Sequence, residues 1–209
     1  MRHSRVAGLY KRHARAFDRD RARGLVEKPW LDRFLALVPP GGTVLDLGCG
    51  MAEPMAGYVV ASGYRVVGVD SSPTLIDLCR DRYPEEVWLV GDMRSVTFTR
   101  QFDGVLAWDS FFHLHADDQR EVLVRFAAHA RPAAPLMFTS GTSAGEEIGE
   151  YCGEALYHAS LDPAEYRQRL ASCGFTVRAH LENDPDCGGH TVWLATRDTM
   201  PRGDGYSRA

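Results

Sequence analysis

The sequence predicts an α/β protein built on a doubly wound sheet, and three observations carry that expectation. Short runs rich in aliphatic and β-branched residues, at 43–47, 64–69, 87–90, 104–108 and 135–140, read as buried strands. Segments with helical spacing of apolar residues lie between them, so strand and helix alternate as in βαβ units. The first strand, Thr43-Val44-Leu45-Asp46-Leu47, runs into Gly48-Cys49-Gly50, a turn whose backbone amides can approach a ligand closely. Glu53-Pro54-Met55-Ala56 then opens a helix with Pro54 at its first position.

Ahead of this unit, residues 1–7 read as frayed, and a first helix is expected from about Gly8 to Asp20, with Tyr10, Ala14 and Phe17 on one side. A second helix, from about Lys28 to Leu37, places Trp30, Leu31, Phe34, Leu35 and Val38 at helical spacing until Pro39-Pro40-Gly41-Gly42 stops it. Asp70 stands at the carboxyl end of the second strand, and Ser71-Ser72-Pro73 caps a helix to about Arg82. Gly91-Asp92-Met93 follows the third strand, where Asp92 is also placed to cap a short turn. The fourth strand leads into the loop Asp109-Ser110-Phe111-Phe112-His113-Leu114-His115, and a helix from Asp117 to about Ala130 ends at Arg131-Pro132. Residues 141–160 leave the alternation and read as a small hairpin or cap. After a helix from Asp162-Pro163 to Leu170, strands opening at Gly174 and spanning Thr191 to Thr196 form an antiparallel hairpin with a long loop at 184–189.

The 209 residues suit one domain, with a helical lid at 1–38, a core at 39–197 carrying a cap insertion at 141–160, and a tail at 198–209. Neither a transmembrane run nor a secretory pattern is present, so a cytoplasmic location is expected, with no membrane partner. Five cysteines without a Cys-x-x-Cys pair imply reduced thiols rather than a disulfide framework or a thiolate zinc site. A net charge of -4 argues against a broad phosphate-binding face, and therefore against a nucleic-acid partner. The basic N-terminal residues Arg2, Arg5, Lys11, Arg12, Arg15, Arg19, Arg21 and Arg23 read as a solvated helix face. Asp109, His113 and His115 match no zinc spacing, and Ser110 lies in no Gly-x-Ser-x-Gly elbow, so no metal and no nucleophilic serine are expected.

A hydrophobic strand ending in Asp46, Gly48 and Gly50, with Ala52 where a third glycine usually stands, resembles the first motif of the class I S-adenosylmethionine-dependent methyltransferases. Dinucleotide-binding folds use a related glycine turn, but the third glycine of their pattern would fall at Glu53, whose carboxylate repels pyrophosphate and suits a cation. The resemblance spans roughly residues 28–197. It implies a seven-stranded sheet of order 3-2-1-4-5-7-6 with strand 7 antiparallel, under an N-terminal helical cap, with S-adenosylmethionine as cofactor. It assigns Asp46, Gly48, Cys49 and Gly50 to the cofactor turn, Asp70 to the ribose with Ser71 beside it in the cofactor site, and Asp92 and Met93 to the adenine. Trp108 or Phe111 would face the sulfonium through cation-π attraction.

Methyl transfer to a small-molecule acceptor, giving S-adenosylhomocysteine, is the activity that the resemblance implies. His113, with Asp109 beside it in the loop after the fourth strand, is the expected base if the acceptor needs one; a packed, hydrogen-bonded histidine is the other reading. Tyr10, Phe17, Trp30, Phe111, Phe112, Tyr157 and His158 are the expected lid and acceptor walls, although aromatics sealing a cap to its core would look the same. Two other activities share the motif: a binding module without transfer, and an intramolecular displacement on the cofactor that releases methylthioadenosine. The acidic residues Glu146, Glu147, Glu150 and Glu154 oppose a nucleic-acid acceptor. A monomer or a homodimer is expected.

Overall fold

The computed structural model describes residues 3–20 and 24–199. Helices α1 (His3–Asp20) and α2 (Lys28–Leu35) precede β1 (Thr43–Leu47), α3 (Met55–Ala61), β2 (Arg65–Asp70), α4 (Pro73–Arg82) and β3 (Val87–Val90). The chain continues through β4 (Gly104–Ala107), α5 (Ala116–His129), β5 (Pro135–Ser140), the hairpin β6 (Gly145–Tyr151) and β7 (Glu154–Ser160), then α6 (Pro163–Ser172), β8 (Phe175–Asp184) and β9 (His190–Arg197).

Seven strands form one sheet in the order β3-β2-β1-β4-β5-β9-β8, and β6-β7 stand apart as a two-stranded sheet. With the hairpin left out of the count, this is the expected order 3-2-1-4-5-7-6, and β9 is antiparallel to both neighbours. Strand β1 is central: Leu45 pairs with Val67 on one side and with Val105 on the other. Its apolar run is continuous because both faces are covered. Leu45, Leu47, Val105 and Phe138 pack toward Phe126 of α5 and Leu170 of α6. Val44, Leu106 and Met137 point the other way, against Phe34, Val59 and Ile76 of α2, α3 and α4. The period-2 alternation of a strand divides one short run between two cores.

Helix ends follow the sequence signals where a side chain caps. Ser72 accepts from the Leu75 amide at 3.5 Å, and Asp162 accepts from the Ala164 amide at 2.8 Å. Pro54 is the residue before α3 rather than its first residue. Helix α1 begins at His3, several residues ahead of the expected start, and α2 ends at Leu35. Asp198, where the expected tail begins, is held to the sheet end: its amide donates to the Gly174 carbonyl and its carboxylate accepts from Thr176 at 2.8 Å. Residues 200–209, Arg2, Arg21 and Arg23 lie outside the described residues.

Part of the basic face of α1 is engaged rather than solvated. Arg12 Nε lies 3.1 Å and His13 Nε2 2.7 Å from Glu154 on β7, and Asp18 takes a bidentate pair of 2.7 Å contacts from Arg82 of α4. Apolar contacts complete the docking: Val6 packs with Tyr157 and Ala159, and Ala14 with Met51 and Leu75. Among the described residues, no helix is long and apolar enough to cross a membrane, and no group of side chains is arranged to hold a metal ion.

Candidate active site

The site is built on the turn after β1. Gly48 and Gly50 adopt φ of 80° and 56°, and a Cβ at Gly48 would stand 2.2 Å from that of Ser110. Only glycine fits there. Ala52, at the third-glycine position, takes φ 72°, the conformation that a glycine would adopt freely. The Gly48 and Cys49 amides donate to the Val69 carbonyl at 2.7 and 3.1 Å, locking the turn onto β2.

Asp70 then joins turn to helix, because one carboxylate oxygen accepts from the Gly50 amide at 3.1 Å and the other from the Ser72 amide at 2.8 Å. Burial pushes its pKa up to about 6, against the pull of the Ser72, Gly50 and Ser71 amides. Asp46 is more strongly affected. Burial first, and the neighbouring Asp70 second, push it up to about 7. Two neighbouring acids, Asp46 buried and Asp70 half-buried, form a site that a cation would relieve.

Two small spaces flank this turn. One, of about 100 Å³, is lined by Gly48, Gly50, Asp70, Ser71, Asp92 and Met93, and is roofed by Tyr10 and Phe17 of α1. Asp92 is also clamped by Arg94 at 2.6–3.1 Å, and its oxygen accepts from the Arg94 amide at 2.9 Å, the turn-capping role open to it in the sequence. The second space, of about 50 Å³, is lined by Asp46, Cys49, Glu53 and Trp108 among others. Among the described residues the buried indole Nε1 of Trp108 has no hydrogen-bond partner, and its ring lies 5.1 Å from that of His190.

A third space is much larger. This cavity of about 780 Å³ is bounded by Tyr10, Phe112, His113 and His158, by the loop entering β6, and by residues 188–191 at the start of β9. Asp109 borders all three spaces. It holds φ 46°, donates its amide to Thr139 Oγ1 at 2.9 Å, and directs its carboxylate at His190 Nε2, 3.1 Å away. Since His190 Nδ1 lies 2.6 Å from the Cys187 carbonyl, which only accepts, both ring nitrogens donate and the ring is an imidazolium. The hydrogen bond to Asp109 raises its pKa to about 9 despite burial. Sequence reasoning missed His190: its partner is 81 positions away, and a histidine after two glycines carries no motif.

His113 is a packed, hydrogen-bonded histidine that also lines the site. It is buried, and Nδ1 donates to the Tyr157 carbonyl at 2.9 Å, which leaves the Nε2 lone pair to accept from the Tyr10 hydroxyl at 3.2 Å. The residue borders both the cofactor-side space and the large cavity. His158 lies beside it with ring centroids 4.9 Å apart and the rings tilted by 30°, and burial lowers its pKa, which favours the neutral ring.

Three expected wall residues lie elsewhere. Phe111 is fully buried between Phe126 and Phe138, because the short helical turn at 111–113 points it into the sheet core. Trp30 faces the opposite core and donates to Asp184 at 2.7 Å. Tyr157 is buried under α1, its hydroxyl 2.9 Å from His115 Nδ1, so it reaches the site only through the carbonyl that holds His113.

Residues 44–133 match the family model of a methyltransferase domain. Over those residues the chain is similar to methyltransferase domains. The chain is 36% identical over 104 residues to the magnesium-protoporphyrin O-methyltransferase of Rhodobacter capsulatus, covering 47% of this chain and 45% of that protein. It is 39% identical over 97 residues to the cypemycin N-terminal methyltransferase of a Streptomyces species, covering 44% and 39%. These matches thus span less than half the length of the curated relatives. Among solved structures, 1,6-didemethyltoxoflavin-N1-methyltransferase of Burkholderia thailandensis, with its substrate and S-adenosylhomocysteine bound, aligns with a TM-score of 0.72 and 21% identity over 95% of this chain and 91% of that one. An amino pentose methyltransferase from Micromonospora echinaspora aligns at 0.69 and 20%, over 88% and 95%. At these identities the likeness is one of fold.

Proposed function

We propose that the protein binds S-adenosylmethionine across the turn after β1 and transfers its methyl group to a small molecule held in the large cavity, with S-adenosylhomocysteine as product. The observation that carries this reading is Asp46, a buried acid raised to about 7 at the mouth of the turn, facing a space where a cationic ligand would relieve it. The cofactor supplies an activated methyl on a positive sulfonium, and its ammonium is a second charge suited to this acidic pocket. Asp70 and Ser71 are proposed at the ribose, Asp92 and Met93 at the adenine, and Trp108 beside the sulfonium. His113, its tautomer fixed by the Tyr157 carbonyl, is the proposed base, and Asp109, at the junction of the three spaces, orients the acceptor.

Several relatives support a small acceptor, since the names of the Rhodobacter and Burkholderia proteins specify a porphyrin and a toxoflavin precursor. The cavity also speaks against intramolecular displacement, which requires no second space. No nucleic-acid or membrane partner enters this reading, and we place the activity in the cytoplasm. Calorimetry with S-adenosylmethionine, S-adenosylhomocysteine and NAD tests the proposal. Binding of the first two without the third is expected, and tight NAD binding with no signal from the others overturns it.

A further inference from the structure

Asp109 is held at both its backbone and its side chain by strands that the sheet brings alongside. Strands β4, β5 and β9 are neighbours in the sheet; Asp109 follows the first, Thr139 lies in the second, and His190 opens the third. Thr139 Oγ1 takes the Asp109 amide at 2.9 Å and so fixes a backbone with φ of 46°. His190 Nε2 lies 3.1 and 3.2 Å from the two carboxylate oxygens and fixes the side chain. The ring is fixed in turn, because Nδ1 donates to the Cys187 carbonyl at 2.6 Å. Its loop is pinned to α2: the Asp184 side chain accepts from Trp30 Nε1 at 2.7 Å and from the Asp186 amide at 3.0 Å, and the Asp184 carbonyl accepts from the Gly189 amide at 2.8 Å. Both ring donors are thus engaged, so His190 offers neither to a ligand, although it borders the large cavity.

Asp109 itself meets ligand space on several sides. Phe17, Gly48, Gly50 and Asp109 line both cofactor-side spaces, and of these Asp109 alone carries a polar side chain. With S-adenosylmethionine across the turn after β1, the nucleoside falls in the space beside Asp70 and Asp92 and the amino-acid end in the space beside Asp46, so the link between them passes Asp109. We propose that His190 is a positioning residue for the cofactor, clamping the Asp109 carboxylate where the ammonium of the cofactor's amino-acid end donates to it. The proposal rests on the methyltransferase reading of this site. A carboxylate accepts at several lone pairs, so a ring nitrogen between its oxygens and a ligand ammonium can share it. A cation behind the carboxylate also lowers the cost of keeping it ionised in a space that Asp46 lines too. Without the ring, the Asp109 side chain would regain rotation, and the ammonium would have to order it on binding.

S-adenosylhomocysteine and methylthioadenosine test this, because they share a nucleoside and differ in the amino-acid end. Calorimetry on the full chain at about pH 8, below the His190 pKa of about 9, should show H190A binding S-adenosylhomocysteine about tenfold more weakly and methylthioadenosine within about twofold of wild type. Retained methylthioadenosine binding also reports that the nucleoside site of the variant is folded. D109N should show the same selective loss, and H190A/D109N no more than either alone, since the ring acts through the carboxylate. H190Q, whose amide keeps a donor toward Asp109, should recover most of the affinity. Unchanged affinity in H190A, equal losses for the two ligands, additive losses in the double variant, or an H190Q as weak as H190A overturns the proposal. So does tighter S-adenosylhomocysteine binding by H190A, the sign of a ring that only shields charge. Wild-type protein that binds neither ligand overturns the methyltransferase reading and the proposal with it, whereas wild-type binding of both with any of the outcomes above overturns the proposal alone. Nitrogen NMR of histidine-labelled protein gives a readout apart from affinity: the His190 ring should titrate at about 9 in the wild type and well below that in D109N, where Glu27 remains to act on it. A midpoint that D109N does not move overturns the clamp.

Discussion

At the scale of single residues, Asp46 and Asp70 combine burial, charge and ligand binding in one measurable quantity. Folding raises their pKa values from 3.8 to about 7 and about 6. A carboxyl whose pKa is raised binds protons more tightly in the native state, so its contribution is fully present below about pH 3.8 and is lost as pH rises through about 6 to 7. The unliganded protein should therefore lose stability between about pH 4 and pH 7, which chemical denaturation at stepped pH reads directly. A ligand ammonium reverses the preference. Binding of S-adenosylmethionine at about pH 6 should release close to one proton, seen as a dependence of the calorimetric heat on buffer ionisation enthalpy, and the release should fade by about pH 8. Heats independent of buffer would mean that Asp46 is already ionised. His113→Ala acts on the other half of the reaction: turnover should fall roughly 10²–10⁴-fold, the range for a lost general base, with little change in cofactor affinity. A mutant with wild-type turnover would return His113 to a packing role.

At the scale of elements, α1 ties the two extra-sheet pieces together. Arg12 and His13 hold the pKa of Glu154 down at about 2, so this latch is present above the usual carboxylate range near 4.5 and is lost as pH falls through about 2. Glu154→Ala should speed amide exchange along 3–20 several-fold at neutral pH while leaving the sheet amides protected, a local effect because the apolar contacts of Val6 and Ala14 remain. Unchanged exchange would show that those contacts suffice. The elements also show what was legible in the sequence. Strands β1 and β5 were readable to within a residue because a strand buried on both faces is an unbroken apolar run between breakers. The stretch 141–160 read only as a hairpin or cap, since β6 exposes most of its side chains and lacks the alternation that fixes register in advance. Phe111, Trp30 and Tyr157 were misassigned for a related reason: an aromatic side chain fills a core or lines a cavity with the same composition, and only the direction of its Cα–Cβ bond separates the two.

For the whole molecule, stability is concentrated where the antiparallel end of the sheet meets α6. Phe138 on β5 stacks on Trp193 of β9 with centroids 5.9 Å apart, and also meets Phe111 at 5.3 Å and Tyr166 at 5.6 Å. Phe138→Ala should cost about 3–5 kcal/mol, lowering the denaturation midpoint without changing the slope. A loss below about 1 kcal/mol would mean that the neighbours collapse into the gap. The distant Asp109–His190 pair belongs to this scale too, because only closure of the whole sheet brings the fourth strand's loop beside the last hairpin. The roof over the site has a kinetic consequence of its own. With Phe17 bordering all three spaces, the cofactor-side space measures about 100 Å³, below the roughly 300 Å³ at which small-molecule sites begin. Entry of the nucleoside should therefore require α1 to move aside. Turnover should then be ordered, cofactor first and spent cofactor last, and S-adenosylhomocysteine should inhibit competitively against S-adenosylmethionine but non-competitively against the acceptor. Competitive inhibition against both would mean that the roof does not gate entry.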